Sequence, residues 1–258
     1  MKESATNIRC RLLRHATLFI EINGIGVLID PMLSAREEMN PVTNATNNIR
    51  IPMVDLPFGY EKLISIIQQT DLVLLTHLHR DHWDDKAKVM LNKKLPVLCQ
   101  PEDAKILRMQ GFEAVIGVGD HVFYKGIEIC RTGGLHGTGE VGERMGNVSG
   151  FVLKYGAEAL YIAGDTIWCS QVEEALNRHQ PQKVVVNAGG AQFLTGAPIT
   201  MTAADVTTVA RKAPFAKVVA VHMDTVNHCM VGRRVLRAVV EQEKLTTQIS
   251  IPEDGEWF

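Results

Sequence analysis

Two stretches of this chain share one pattern, and that pattern restricts the folds the chain can adopt. Residues 15–31 alternate apolar and polar side chains, turn at an Asn-Gly pair and end on Asp30 and a proline. Residues 149–166 follow the same course, with a turn predicted at Tyr155-Gly156, and end on Asp165 and a threonine. Alternating strands joined by a short turn that contains glycine are typical of a β-hairpin. The sequence therefore predicts two hairpins whose second strands each end in a carboxylate.

A second pattern occurs four times along the chain. Each copy has apolar residues at i, i+3 and i+4 spacing and then a short Val/Ile/Leu run, which predicts a helix followed by a buried strand. The runs end at or near His77, Asp120, Asn187 and His222. Hairpins and helix–strand units in this order predict an α/β fold with two similar halves that divide near residue 140. Because no linker rich in Ser, Gly or Pro separates the halves, we expect one domain over residues 1–258.

The charge balance and the cysteines narrow the class of protein. The 258 residues are 46% apolar and include 27 Lys and Arg against 29 Asp and Glu, so the formal net charge is −2. That balance lacks the basic face that nucleic acid requires, and no run of about 18 apolar residues predicts a membrane-spanning helix. Five scattered cysteines without a CxxC pair indicate reduced thiols. We expect a cytoplasmic protein that neither binds nucleic acid nor inserts into a membrane, and homo-oligomerisation stays open.

A dense set of metal donors follows the strand that ends near His77. The segment HLHRDHWDD places three histidines and an aspartate within six positions: His77, His79, Asp81 and His82. His77 and His79 are two residues apart, so in an extended chain they point the same way. Imidazole and carboxylate groups are donors that suit zinc and manganese. The segment therefore predicts a metal site.

Further donors stand at the ends of other predicted strands. His136, Asp165 and His222 each come directly after or close to an apolar run. In open α/β sheets, ligands gather beyond the carboxyl ends of the strands. We therefore expect these three side chains to complete the metal site.

In these residues the chain resembles the metallo-β-lactamase superfamily, in the branch that contains ascorbate-6-phosphate lactonase and N-acyl-phosphatidylethanolamine phospholipase D. The segments RHATLFIE, VLIDPMLS and DHWDD add to the resemblance, which spans nearly the whole chain. It implies a four-layer αββα sandwich with the site at one edge, between the two sheets.

The resemblance also implies two divalent metal ions, zinc or manganese, and assigns their ligands. The first ion takes His77, His79 and His136; the second takes Asp81, His82 and His222; Asp165 bridges the two. Two such ions can hold a bridging water as hydroxide and polarise a carbonyl or phosphoryl oxygen. Imidazole ligands also need acceptors that fix their tautomer, and Asp30 is the residue that we expect in that role.

The function that we expect is a dinuclear metal-dependent hydrolase. Metal-bound hydroxide would attack a lactone or a phosphodiester of a small metabolite, so the expected partner is a small-molecule substrate. One alternative is a mononuclear iron oxygenase of the same fold that acts on persulfides, which needs fewer ligands. The other is a non-catalytic, metal-stabilised binding module whose site is closed by protein.

Two residues are expected to take part in catalysis beyond holding metal in place. Asp81 belongs to the metal site, and His228 follows His222 by six residues. We expect His228 to give a proton to the leaving group, with Asp224 orienting its ring; a general acid of this kind contributes about 10²–10⁴-fold.

The remaining candidates are a loop and three histidines. Residues 34–57 lack periodicity, and we expect this loop to fold over the metals and select the substrate, with Asn44 and Asn48 as its contacts. His15 is expected to be a packed strand residue. His121 and His179 lie in polar segments and are expected at the surface.

Overall fold

The computed structural model describes residues 8–258. The first sheet has six strands in the order β1-β2-β3-β4-β5-β6. Its first three strands are antiparallel, and β3 to β6 are parallel. The strands are β1 (Ile8–Arg14), β2 (Thr17–Ile22), β3 (Ile25–Ile29), β4 (Leu72–Leu74), β5 (Val97–Cys99) and β6 (Val115–Gly117). Its helices are α1 (Tyr60–Gln68), α2 (Asp85–Met90) and α3 (Ala104–Met109), and a 3₁₀ turn spans Pro101–Asp103.

The second sheet has seven strands in the order β13-β12-β11-β10-β9-β8-β7. Strands β7 to β10 are antiparallel, and β10 to β13 are parallel. The strands are β7 (His121–Tyr124), β8 (Ile127–Gly133), β9 (Ser149–Tyr155), β10 (Glu158–Ile162), β11 (Lys183–Asn187), β12 (Lys217–Val221) and β13 (Ile249–Ser250). The helices are α4 (Gly139–Met145), α5 (Ser170–His179), α6 (Ala203–Lys212) and α7 (Arg233–Gln242).

Three apolar cores separate four layers. The central core joins the inner faces of the two sheets, for example Ile20 and Leu74 with Phe151 and Val185. A second core lies between the first sheet and α1 to α3, and a third lies between the second sheet and α5 to α7. The predicted four-layer αββα sandwich is confirmed. Among the described residues, no helix has the length and apolar character that crossing a membrane requires.

The two predicted halves are present, but the chain passes from one sheet to the other earlier than expected. Each half runs through a hairpin and then through alternating helices and parallel strands, as in β2 to β6 and β9 to β13. The change of sheet falls between Gly117 and His121 rather than near residue 140, because β7 and β8 extend the second sheet. The turn of the second hairpin also lies one residue later than predicted, at Gly156-Ala157, since Tyr155 still pairs with Glu158.

The first hairpin turns where the sequence predicts. Asn23 and Gly24 connect β2 to β3 and have φ angles of 47° and 81°. Positive φ at both positions suits the twist of a two-residue hairpin, and Asn and Gly tolerate that conformation better than other residues. The hairpin thus delivers the Asp30 carboxylate to the end of β3, beside the end of the parallel strand β4.

Candidate metal centre

The first group of donors consists of three imidazoles beyond the ends of β4 and β8. His77 Nε2 lies 2.9 Å from His79 Nδ1. One ring nitrogen of His136 joins them, so that all three donor atoms lie within 4.8 Å of one another. His77 and His136 are buried, and His79 is half-buried. These are the three side chains that the resemblance assigned to the first ion.

The second group is formed by the turn after His79 and by the end of β12. His82 Nε2 lies 3.3 Å from His222 Nε2, and Asp81 Oδ2 lies 3.8 Å and 3.7 Å from these two nitrogens. The turn is closed by the backbone N–H of His82, which donates to the carbonyl of His79 at 2.9 Å. Asp81, His82 and His222 are therefore brought together as the assignment to a second ion requires.

Asp165 lies between the two groups. Its Oδ2 is 3.5 Å from His136 Nε2 and 4.0 Å from His77 Nε2 in the first group, and 3.3 Å from His82 Nε2 in the second. Its Oδ1 is 3.2 Å from His222 Nε2. Asn187 Nδ2 donates to the same Oδ1 at 2.6 Å and so limits rotation of the carboxylate. The carboxylate thus faces both groups of donors.

The donor set fits metal ions. Ligands about 2.1 Å from a tetrahedral ion lie about 3.4 Å apart, and the distances within the two groups scatter around that value. The tautomers fit as well: His136 Nδ1 lies 2.8 Å from the carbonyl oxygen of Ile199 and donates to it, which leaves Nε2 with its lone pair. His82 Nδ1 lies 2.8 Å from Asp30 Oδ2 and donates to it, so Nε2 is the atom that a metal ion would bind in exchange for its proton. These residues could therefore hold metal ions.

Asp30 makes the contact that the sequence analysis expected of it. Its Oδ1 accepts the backbone N–H of Thr76 at 2.8 Å, and its Oδ2 accepts the Thr76 hydroxyl at 2.6 Å as well as His82 Nδ1. Thr76 Oγ1 in turn lies 3.1 Å from His77 Nδ1 and accepts its N–H. One carboxylate therefore orients an imidazole of each group, His82 directly and His77 through Thr76.

Burial and neighbouring charges set the protonation of the cluster. Burial raises the pKa of Asp165, but His222 and His82 outweigh it and hold the pKa well below its usual range. Burial lowers the pKa of His82, but Asp165 and Asp81 outweigh it and raise the pKa to about 10. Burial lowers the pKa of His77, and His82 lowers it further. The carboxylates are thus ionised, as metal ligands must be.

A cleft of about 520 Å³ opens onto the cluster. Its lining from the metal-donor side includes His79, Asp81, His136 and Asp165. The rest of its lining is Asn40, Pro41, Val42, Thr43, Arg80, Met145, Phe193, Ile199 and His228. The loop 34–57 therefore reaches the site through residues 40–43. Asn44 and Asn48, the contacts that the sequence suggested, are exposed and do not line the cleft.

Two buried side chains hold this loop in place. Arg14 Nη2 donates to the carbonyls of Met32 and Ser34, and its Nη1 donates to the carbonyl of Val54, so it binds both ends of the loop. Asn227 Oδ1 accepts the backbone N–H of Val42 at 2.8 Å, and Asn227 Nδ2 donates to the carbonyls of Val42 and Asn47.

His228 lies in the cleft, but Asp224 does not orient it. Asp224 Oδ2 accepts Arg233 Nη1 at 3.1 Å and the Arg233 backbone N–H at 3.2 Å, so its carboxylate is engaged elsewhere. His228 stacks on Phe193, with ring centroids 5.6 Å apart, and its buried Nδ1 has no partner among the described residues. Burial lowers the pKa of His228 to about 4. The predicted Asp224–His228 pair is therefore wrong.

The predicted positions of the other three histidines agree with the structure only in part. His121 is exposed, as expected, and His179 is half-buried. His15 is buried, but it lies in the turn between β1 and β2 instead of in a strand, and its Nε2 is 3.3 Å from Asp81 Oδ2. Burial and the neighbouring His222 lower the pKa of His15 to about 3. Nothing local in the sequence distinguishes His15 from a packing residue, because its partners are far away along the chain.

Comparisons with known proteins identify the family of this chain. A family model described as the beta-lactamase superfamily domain matches residues 26–223. The chain belongs to this superfamily, as its resemblance implied.

Individual relatives point to a narrower family. The chain is 37% identical to UPF0173 protein YddR of Bacillus subtilis (strain 168) over 253 residues, which cover 95% of this chain and 97% of the relative. The UPF0173 metal-dependent hydrolase Ta0764 of Thermoplasma acidophilum is 34% identical over 46% of this chain and 54% of its own. The protein is thus a metal-dependent hydrolase of the UPF0173 family.

Solved structures of similar proteins superpose on this chain. A chain described as a possible metal-dependent hydrolase from Veillonella parvula DSM 2008 superposes with a TM-score of 0.93 at 32% identity, over 98% of this chain and 99% of its own. Isothiocyanate hydrolase from Delia radicum gut bacteria superposes with a TM-score of 0.90 at 34% identity, over 97% and 98%. The metallo hydrolase Igni18 from Ignicoccus hospitalis, at 21% identity and a TM-score of 0.72, shares the fold.

Proposed function

We propose that this hydrolase works with two divalent metal ions, zinc or manganese. The observation that carries the proposal is the presence of two separate groups of donors with one carboxylate, Asp165, between them. The first ion is held by His77, His79 and His136, the second by Asp81, His82 and His222, and Asp165 is shared. Ions in such a pair activate water as a nucleophile and stabilise negative charge on the substrate.

The protein's own residues prepare this site before a substrate binds. Asp30 and Thr76 fix the rings of His77 and His82, so that both present Nε2 lone pairs to the ions. Asp81 remains ionised: burial raises its pKa, but the neighbouring His82 and His15 outweigh burial and hold the pKa well below its usual range. Asp81 is therefore a charged member of the site rather than a proton donor.

The lining of the cleft favours a small uncharged substrate. Five of the nine residues in its outer wall are apolar: Pro41, Val42, Met145, Phe193 and Ile199. The only guanidinium in that lining, Arg80, is held toward the loop because its Nη2 donates to the Pro41 carbonyl at 2.8 Å. A phosphodiester carries a charge that such a wall solvates poorly. Of the two substrate classes expected from the sequence, a lactone therefore suits the cleft better than a phosphodiester.

An isothiocyanate is a second candidate substrate with the same lack of charge. Like a lactone, it is uncharged and has one electrophilic carbon that water can attack. The solved isothiocyanate hydrolase is 34% identical to this chain over nearly its whole length. Addition of one water to R–N=C=S and cleavage of the C–N bond yields the amine R–NH₂ and carbonyl sulfide. We therefore propose that the substrate is a small uncharged electrophile, either an isothiocyanate or a lactone.

His228 lines the cleft, and we propose that it contacts this substrate. Its Nδ1 is buried and has no partner among the described residues, so the tautomer with the proton on Nε2 is the one that leaves no buried N–H without an acceptor. The Nε2–H can then donate to a substrate in the cleft that His228 lines. With its pKa lowered to about 4, the ring is neutral near pH 7. We therefore propose that His228 forms a hydrogen bond to the substrate, in place of the proton transfer that the sequence suggested.

The two alternatives from the sequence receive less support. A mononuclear iron oxygenase needs one group of ligands, whereas Asp81, His82 and His222 form a second group with short mutual distances. A binding module closed by protein does not need a cleft that reaches His79 and Asp165. Both observations favour a dinuclear hydrolase.

The test combines metal analysis with a substrate panel. The chain is purified without chelator, its metal content is measured before and after reconstitution with Zn²⁺ or Mn²⁺, and hydrolysis of a γ-lactone, bis(4-nitrophenyl) phosphate and benzyl isothiocyanate is compared. We expect two ions per chain and turnover of the lactone or the isothiocyanate. A stoichiometry of one or less after reconstitution rejects the dinuclear site, and faster turnover of the phosphodiester rejects the substrate class.

A further inference from the structure

We infer that His15 is a positioning residue that fixes the orientation of Asp81 and His222, two members of the second donor group. This inference rests on the proposed dinuclear site. His15 belongs to neither set of ligands that the resemblance assigned, yet its side chain is fully buried beside the second set. One of its ring nitrogens lies within 4.8 Å of the donor atoms of Asp81, His82 and His222, and its closest contacts are with Asp81 and His222.

The backbone joins His15 to His222 directly. The His222 N–H donates to the His15 carbonyl at 2.9 Å, across the space between the β1–β2 turn and the end of β12. Both residues have left-handed backbones, with φ of 61° at His15 and 68° at His222. Non-glycine residues adopt this conformation uncommonly, although histidine does so more often than most, and such residues cluster at functional sites. The hydrogen bond therefore joins two left-handed residues and fixes the end of β12 against the β1–β2 turn.

The side chain of His15 adds two further contacts. Its ring lies against the His222 ring with centroids 3.6 Å apart and an angle of 35° between the planes. Its Nε2 lies 3.3 Å from Asp81 Oδ2, the carboxylate oxygen nearest to His82 and His222. His15 thus limits rotation of the His222 ring and of the Asp81 carboxylate together.

Tautomer chemistry favours a positioning role over direct coordination. His15 Nδ1 is buried and has no partner among the described residues. If Nε2 bound a metal, the ring proton would be on Nδ1, and a buried N–H would lack an acceptor, which is rare in proteins. With the proton on Nε2, the ring donates to Asp81 and leaves only an unused lone pair at Nδ1. His15 therefore acts through Asp81 and His222 rather than on the metal.

The test measures metal affinity at each site separately. Metal-free protein is titrated with Zn²⁺ against a chelator, and the two dissociation constants are compared among wild type, His15→Phe and His15→Gln. Phenylalanine keeps a ring against His222 but cannot donate to Asp81, whereas the glutamine amide can. His121→Phe is the matched control, since His121 is exposed and outside both donor groups.

We expect His15→Phe to weaken binding of one of the two ions by roughly 10- to 100-fold, the usual effect of losing a partner of a metal ligand. The other ion should bind as in wild type, and His15→Gln should recover most of the loss. A uniform loss at both sites, or no loss in a folded His15→Phe, overturns the inference. If His15→Phe does not fold, His15→Asn replaces it, because Asn tolerates a left-handed backbone but is too short to reach Asp81.

Two further measurements distinguish a failure of this inference from direct metal coordination by His15 and from a failure of the dinuclear proposal. X-ray absorption of the zinc-loaded His15→Gln protein counts imidazole ligands, and the loss of one imidazole relative to wild type makes His15 a ligand and overturns the positioning role. If wild type itself binds a single ion, the dinuclear proposal fails, and the inference about a second donor group fails with it. If wild type binds two ions and His15→Phe does the same with unchanged affinities, only the inference about His15 fails.

Discussion

Asp30 and His82 are joined by a buried hydrogen bond of 2.8 Å between Oδ2 and Nδ1, although 52 positions separate them in the sequence. The same carboxylate accepts both donors of Thr76, whose hydroxyl contacts His77. Asp30 thus orients one imidazole of each donor group from the end of the first hairpin. Its own backbone is left-handed, with φ of 42°, a conformation that Asn also tolerates.

The first prediction follows from this arrangement and concerns Asp30→Asn. An amide offers one acceptor oxygen where the carboxylate offers two, so the three hydrogen bonds that Asp30 accepts from Thr76 and His82 cannot all be kept, and the negative charge beside His82 is lost. We expect metal affinity to fall roughly 10- to 100-fold while the fold is retained, measured by chelator competition and circular dichroism. Asp120→Asn, on an exposed side chain, is the control. Wild-type affinity in Asp30→Asn would show that the rings are oriented by packing alone.

The second prediction concerns Asp165→Ala. The Asp165 carboxylate lies between both groups, and its negative charge offsets the repulsion between two cations. We expect the variant to lose at least one ion per chain and to lose more activity than the roughly 100-fold typical of losing an outer partner of a ligand. Elemental analysis and turnover are the measurements, with Asp85→Ala as the control because that side chain is 97% exposed. Two ions and normal turnover in Asp165→Ala would show that another residue bridges.

The third prediction concerns the loop 34–57. Asn227 holds Val42 through two hydrogen bonds and so keeps this part of the loop against the cleft. We expect Asn227→Ala to raise KM several-fold, with metal content unchanged, because the wall of the cleft loosens while the donor groups stay intact. Asn48→Ala is the control in the same loop, since Asn48 is exposed. An unchanged KM in Asn227→Ala, or an equal rise in Asn48→Ala, would argue that the loop does not select the substrate.

The fourth prediction separates two roles of His228. Loss of a hydrogen bond to substrate costs about 0.5–1.5 kcal/mol, so His228→Ala should reduce kcat/KM roughly threefold to tenfold. The reduction should be equal for an aliphatic γ-lactone and a phenolic lactone such as dihydrocoumarin, because no proton is transferred, and two ions should remain bound. If the defect shrinks for the phenolic lactone, whose phenolate leaving group needs no proton, His228 acts as the general acid that the sequence suggested.

The fifth prediction concerns how the stability of the fold depends on pH through Asp103, a residue outside the metal site. Burial raises the pKa of Asp103 to about 6, although the hydrogen bond from Gln100 opposes it. A raised carboxyl pKa in the folded state means that ionisation destabilises the fold: the cost is absent below about pH 4, grows as the pH rises and is complete above about pH 6. Asp103→Asn should therefore raise stability by about 1 kcal/mol at pH 7 after allowance for solvent screening, or about 2–4 °C in Tm.

That prediction is checked on metal-free protein, so that loss of metal at low pH does not interfere. Thermal unfolding of wild type and Asp103→Asn is compared at pH 7 and pH 4, with Asp120→Asn as the exposed control. The difference should be close to zero at pH 4. An equal gain at both pH values would show that the effect does not come from ionisation.

The fold and the donor positions could be predicted because their signals are local. Hairpins, helix–strand units and the HxHxDH segment are each contained in short windows, and parallel strands bring their ends together. Three other features depend on long-range contacts. His15 meets Asp81 across 66 positions, Arg233 competes for Asp224, and β7 joins the second sheet through pairing with β8. Spacing along the chain does not encode such contacts.

Arg14 gives the loop 34–57 a property that matters for how this family can diversify. One buried guanidinium holds both the start and the end of the loop, and Arg80 and Asn227 bind backbone atoms of Pro41, Val42 and Asn47. Side chains of the loop can therefore change, and residues can be added outside 41–47, without pulling on β3 or on the donor groups. Lengthening a loop whose ends are already fixed adds little entropic cost, about 0.6 kcal/mol for each doubling. The wall that meets the substrate can therefore vary independently of the part of the protein that holds the metals.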